Sequence, residues 1–195
     1  CGLCVIVCPS EALSIQKNET SGSEGSWRDV WVFTELIDGS VHPCGRELLG
    51  KARELAETLG CRTAALVIGG EEAGNRAPEL ITAGADRVLL VTGESFRRPD
   101  EELYADAAAQ LIAERRPEIL LFGATEFGRS FAPRTAARVR TGLTADCTGL
   151  EIDEETRLLR QTRPAFGGNL MATIVCARHR PQMATVRPGV LPAPP

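Results

Sequence analysis

Three cysteines stand within the first eight residues: Cys1-Gly2-Leu3-Cys4-Val5-Ile6-Val7-Cys8-Pro9. The spacing C-x2-C-x3-C-P is the last three-quarters of the run that holds a cubane iron–sulfur cluster in bacterial ferredoxins. Thiolates this close together on a tight loop can occupy three corners of a 4Fe–4S cluster, and Gly2 lets backbone amides approach the sulfurs. The first cysteine of such a run would fall before Cys1. Pro9 turns the chain away, and Ser10 to Ile15 read as a short helical turn and strand. Zinc sites tend to pair two C-x2-C motifs, and no second pair follows. Cys1, Cys4 and Cys8 are the candidate metal ligands.

Two loops further on carry the remaining chemistry. Leu121-Phe122-Gly123-Ala124-Thr125-Glu126-Phe127-Gly128-Arg129-Ser130 joins an apolar run to a helical one. Glycines there permit close backbone approach, a helix N-terminus favours an anion, and Arg129 could clamp a phosphate or a partner's carboxylate. The pattern is neither a P-loop nor G-x-G-x-x-G. A tight βα turn with a surface arginine is the plainer account. Thr162-Arg163-Pro164-Ala165-Phe166-Gly167-Gly168-Asn169 gathers an arginine, an aromatic ring, two glycines and an amide between two expected strands. Gly123, Thr125, Gly128, Arg129, Arg163, Phe166, Gly168 and Asn169 are the candidate cofactor-binding residues. Cys44, Cys61, Cys147 and Cys176 read as small buried residues. His42 and His179 read as surface or packing residues. No Ser/His/Asp triad, HExxH motif or persuasive carboxylate pair is present, so no catalytic residue is assigned.

These loops need a scaffold, and the hydrophobic pattern supplies one. Apolar runs at Val30–Thr34, Ala64–Ile68, Arg87–Val91 and Ile119–Phe122 read as strands. Each precedes a helical pattern: one beginning at Pro43 and stopped by Gly60, then Ala77–Ala83, Pro99–Arg116 and Ser130–Arg140. Strands alternating with helices predict an α/β fold, a parallel sheet flanked by helices. After Gly142, Thr144–Ile152, Arg157–Arg163, Leu170–Ala177 and Gln182–Arg187 read as strands with no helix between them. Antiparallel additions to the sheet, or a ribbon beside it, are expected there. The divisions are a partial ferredoxin-like segment over 1–16, a Ser/Gly-rich linker over 17–26, the α/β domain over 27–190 and a proline-rich linker over 191–195. The chain opens on Cys1, and its only methionines are Met171 and Met183. A piece of a longer chain is expected.

The formal net charge is −4, with basic residues scattered along the chain, which argues against a nucleic-acid binder. No apolar stretch approaches the length of a membrane span, and no signal-peptide pattern opens the chain. The expected location is cytoplasmic, without membrane insertion.

Several stretches together resemble the alpha subunit of electron-transfer flavoproteins. They are Gly123 to Arg129, Ala132-Pro133-Arg134, Ala136-Ala137-Arg138, Thr141 to Thr148, Thr162 to Asn169, Met171 to Ile174 and Arg180 to Gly189. The likeness is collinear from about Val30 to Val190. It implies an adenine-nucleotide alpha-hydrolase-like, Rossmann-like fold and an alpha–beta heterodimer. It implies FAD held mostly beyond Pro195, and AMP or a second FAD in the beta subunit. It implies electron transfer between dehydrogenases, or ferredoxin, and acceptors, with an acyl-CoA dehydrogenase or reductase among the partners. Cys1 to Cys8 fit the subgroup carrying a ferredoxin-like 4Fe–4S segment, some of whose members bifurcate electrons. In this reading the chain is an electron carrier subunit. One alternative is a nucleotide-binding alpha-hydrolase-like enzyme fused to a ferredoxin segment. Such enzymes usually carry an S-G-G-x-D-S loop after the first strand, and Glu35 to Pro43 shows none. The other alternative is a structural interface subunit.

Overall fold

The computed structural model describes residues 27–168 and 170–192. The ferredoxin-like segment, the linker after it, Cys1, Cys4, Cys8 and Asn169 lie outside the described residues.

β1 (Val30–Phe33) opens the domain and is buried on both faces. A small hairpin follows, β2 (Leu36–Ile37) and β3 (Ser40–Val41), turned by Asp38 and Gly39 at positive φ. That pairing is the Asp-Gly chemistry of a tight hairpin turn. Helix α1 (Pro43–Leu59) starts with proline in its first turn and with His42 at the N-cap, where Nδ1 accepts from the Cys44 amide. It ends at Gly60, left-handed at φ 65. α1 has no basic residue in its last turn. Arg28 and Arg157 supply that charge from elsewhere, donating to the Gly60 and Leu59 carbonyls at 3.1 and 2.7 Å.

The alternation then runs β4 (Thr63–Gly69), a 3-10 turn (Glu71–Arg76), α2 (Ala77–Thr82), β5 (Arg87–Thr92) and a second 3-10 turn (Glu94–Phe96). α3 (Glu101–Arg115), β6 (Ile119–Gly123) and α4 (Glu126–Arg138) complete it. Asp100 caps α3 by accepting from the Leu103 amide at 2.9 Å.

The last third differs in part from the sequence expectation. Thr144–Ile152 is two strands, β7 (Leu143–Cys147) and β8 (Gly149–Ile152). β8, β9 (Leu159–Ala165) and β10 (Leu170–Ile174) form an antiparallel ribbon, as expected, in the order β10-β9-β8. β7 and β11 (Gln182–Val186) join the main sheet in parallel. Its order is β5-β4-β1-β6-β11-β7. A parallel return needs a crossover, and here the ribbon provides the connection that a helix usually makes.

Alternation along β1 divides the core. Val30 and Val32 pack with Leu48, Leu49 and Leu55 of α1 and with Leu150 and Leu159 of the ribbon. Trp31 and Phe33 pack with Tyr104 and Ile112 of α3 and Phe131 of α4. Each fully buried leucine or phenylalanine contributes about 1.5–3 kcal/mol. The result is a sheet held from both sides, with the carboxyl ends of its strands free to carry loops.

Candidate functional site

The strand order reverses around β1. β4 and β5 lie on one side; β6, β11 and β7 lie on the other. Open α/β sheets bind ligands at such a reversal, beyond the carboxyl ends of the strands. Here the loops after β1 and β6 meet across the crevice. Thr125 donates its hydroxyl proton to Glu35 Oε2 at 2.5 Å. The same Thr125 caps α4, its Oγ1 accepting from the Gly128 amide at 3.0 Å.

Glycine is required at 128 by space rather than by backbone angle. A Cβ there would sit 2.0 Å from the Gly123 carbonyl oxygen. A Cβ at Gly123 would lie 3.0 Å from Cys44 Sγ. The two glycines therefore let α4 and α1 close on the end of β6.

Arg129 follows on α4. Its Nε donates to the Ala124 carbonyl at 2.9 Å and its Nη2 to Asp146 Oδ1 at 3.0 Å. Arg187, just past β11, donates to Asp146 Oδ2 at 2.6 Å. Asp146 sits where the β7–β11 register slips, at φ 61, with its amide donating to Thr185 Oγ1 at 2.8 Å. The irregularity is a β-bulge, a device that re-aims a side chain. Here it presents a carboxylate to two guanidiniums. The hydrogen bond from Arg187, aided by the charges of Arg129 and Arg163, holds the Asp146 carboxyl below its ordinary value.

Arg163 lies within β9, not in a loop, and Thr162 to Ala165 belong to that strand. The turn proper is Phe166–Gly168, with Gly167 and Gly168 at φ 73 and 90. Arg163, Gly167, Gly168, Asp146 and Arg187 line one surface concavity. Arg163 has no ion pair among the described residues, leaving its charge available to a ligand or partner.

The structure thus brings Arg129, Arg163 and Gly168 into one neighbourhood. Thr125, Gly123 and Gly128 build the turn that places Arg129. Asp146, Arg187 and Glu35 are functional neighbours that sequence reasoning missed. An aspartate inside an otherwise apolar strand, and an arginine directly after β11, were the available signals.

A parallel α/β sheet with its reversal point, its glycine-built turns and a basic platform at the strand ends defines an open, Rossmann-like type of domain. Comparison narrows this: the electron transfer flavoprotein domain matches residues 30–195, and the chain belongs to that family. It is 51% identical over 168 residues to "Electron transfer flavoprotein subunit alpha" of Clostridium acetobutylicum, covering 86% of this chain and 50% of that protein. It is 46% identical over 171 residues to "Protein FixB" of Bradyrhizobium diazoefficiens, covering 87% and 46%. It is 43% identical over 195 residues to "Lactate dehydrogenase (NAD(+),ferredoxin) subunit LctC" of Acetobacterium woodii, covering 100% and 46%. The chain spans about half the length of the curated relatives it matches. Among the described residues, no helix is long and apolar enough to cross a membrane.

Proposed function

We propose that this chain is the N-terminal α/β domain of an electron-transfer flavoprotein alpha subunit, working in an alpha–beta heterodimer that carries FAD. The observation that carries the reading is the family match across 30–195, with 51% identity to a protein named as that subunit. FAD, when bound, takes up and releases electrons one or two at a time. This chain's part is to present charge and shape to it and to hold the partner subunit.

The platform at the strand ends suits such a group. Arg163 and Arg187 with the open Gly167–Gly168 turn offer guanidinium donors and close backbone approach to a polar or anionic portion of a nucleotide. Gly123, Thr125, Gly128 and Arg129 hold the platform in register; Phe166 opens the Gly167–Gly168 turn, and Asn169 follows it in sequence. Beside it, Leu170, Met171, Ile174 and Val175 leave an apolar edge exposed at 39–59%. That is the kind of strand edge that proteins cover, and the beta subunit is its proposed cover.

The reading extends to the N-terminal cysteines. The match to the LctC protein runs over all 195 residues, so it includes the stretch with Cys1, Cys4 and Cys8. A 4Fe–4S cluster on these thiolates would relay electrons between a ferredoxin and FAD. An acyl-CoA dehydrogenase or reductase type partner, or another dehydrogenase, would exchange electrons with the flavin.

The test uses the full-length alpha chain co-expressed anaerobically with its beta partner. Its visible spectrum, flavin and iron are measured. Flavin bands with iron support the carrier and its relay. Flavin without iron keeps the carrier and removes the relay. A flavin-free heterodimer overturns the proposal.

A further inference from the structure

A second mouth opens at the same sheet edge, on the β1–β4 side of the Thr125–Glu35 bond. It is a cavity of about 500 Å³. Its walls combine two chemistries. Half-buried Phe96 and Phe127 supply aromatic surface, backed by the buried Phe33 and Tyr104; Glu35, Asp38 and Glu72 supply carboxylates.

The rings are braced against one another. Tyr104 meets Phe96 and Phe127 edge-on, with centroids 5.8 and 5.4 Å away. Its hydroxyl is spent on the Phe96 carbonyl at 2.9 Å. Asp38 and Glu72 carry no ion pair among the described residues, while Glu35 is held by Thr125. The one cation in the lining, Arg97, pairs with Glu94 at 3.4 Å, and 61% of its side chain is exposed.

This is the position where the fold elsewhere receives phosphates, yet the side chains would repel one. Glu72 also crowds the backbone that a phosphate would approach: a Cβ at Gly70 would lie 2.8 Å from its Oε2. Aromatic rings with nearby carboxylates instead match a positively charged carbon-bearing group. A quaternary or alkyl ammonium is attracted by ring quadrupoles and by the carboxylates together.

The geometry points to an organic ammonium site in this cavity, selective for a compact alkylammonium and closed to nucleotide phosphate. It uses none of the residues of the arginine platform and does not depend on flavin at that platform.

Choline is the probe, and 3,3-dimethylbutan-1-ol is its uncharged isostere. Binding is followed by saturation-transfer NMR on the full-length alpha chain with its beta partner. The expected result is saturable choline binding, with the isostere weaker by about tenfold. Glu72→Gln and Asp38→Asn should each weaken choline several-fold while leaving the flavin spectrum unchanged. Both are exposed, near-isosteric changes, and either alone suffices if the other fails to fold. No choline binding, equal binding of the isostere, indifference to both substitutions, or AMP displacing choline in a Glu72-dependent way would each overturn the assignment. An unchanged flavin spectrum beside a lost choline signal separates this result from failure of the carrier reading.

Discussion

One sheet edge carries two mouths of opposite charge. On the β1–β4 side, Glu35, Asp38 and Glu72 surround aromatic rings. On the β7–β11 side, Arg129, Arg163 and Arg187 surround a single carboxylate, Asp146. The strands are parallel in both places, buried at β1 and β4 and partly exposed at the edge strand β7. The difference in charge comes from what the loops, the bulge and strand β9 place at their ends. The fold fixes where a ligand can sit, and a few side chains fix its charge.

The first turn of α4 joins the two mouths. Thr125 reaches Glu35 on one side, and Arg129 reaches Asp146 on the other. Disturbing that turn should therefore do the most damage. Gly128→Ala drives a methyl into the Gly123 carbonyl, so α4 must shift. A loss of about 3 kcal/mol is expected from overpacking against backbone. Urea denaturation would measure it, and a loss below a few tenths would mean the turn is more pliant than its contacts imply.

The next effect belongs to the basic mouth alone. Asp146→Asn keeps the left-handed backbone, which asparagine tolerates, and removes only the charge. Arg129 and Arg187 are then left without their shared anion, at a cost of about 1 kcal/mol since both guanidiniums are half-exposed. The pH dependence has a defined sign. The Asp146 carboxyl is held below 3.8 in the fold, chiefly by Arg187. Its contribution is present above 3.8 and fades as the pH falls through the folded value. Thermal melts of wild type and variant should therefore converge in acid. A gap that stays constant would sink the charge argument.

Thr125→Val touches the acidic mouth. It removes the cap on Gly128 and the donor to Glu35 together, for about 1 kcal/mol. The smallest effect reads the charges near the strand ends through two buried core thiols, Cys44 and Cys147. Burial, with Glu47 and Glu35 adding to it, pushes Cys44 up to about 12. Burial pushes Cys147 up to about 11, with Arg163 opposing. Arg163→Gln should slow alkylation of Cys147 under alkaline native conditions by a factor of about two to five and leave that of Cys44 unchanged. Mass spectrometry of the labelled peptides decides it; equal slowing at both cysteines would indicate a general tightening instead.

The four βα units were legible because their signals are local. Pro43 and Gly60 bracket α1, and Asp100 caps α3. The candidate loops were legible through glycine and arginine at strand ends. Arg129 was read as a clamp for an anion, and the anion it holds is the chain's own Asp146. That pairing spans β7, whose bulge no local pattern announces. The parallel entry of β7 and β11 was not legible either. An absent helix pointed to antiparallel neighbours, whereas the β8–β10 ribbon acts as the crossover. Glu35 went unremarked because its partner lies 90 residues away.

The insertion of β11 also sets an order of events during synthesis. Among the described strands β11 comes latest in sequence, yet it lies inside the sheet, bonded to β6 on one side and β7 on the other. Until Gln182–Val186 leave the ribosome, β6 has an open edge and β7 has no partner in the sheet. The N-terminal βα units can collapse early, since their contacts are close in sequence. The basic mouth, built from β7, β9 and the end of β11, must form after the N-terminal βα units of this domain. A pause in translation before residue 182 would leave a half-sheet with an exposed edge, the state most open to aggregation.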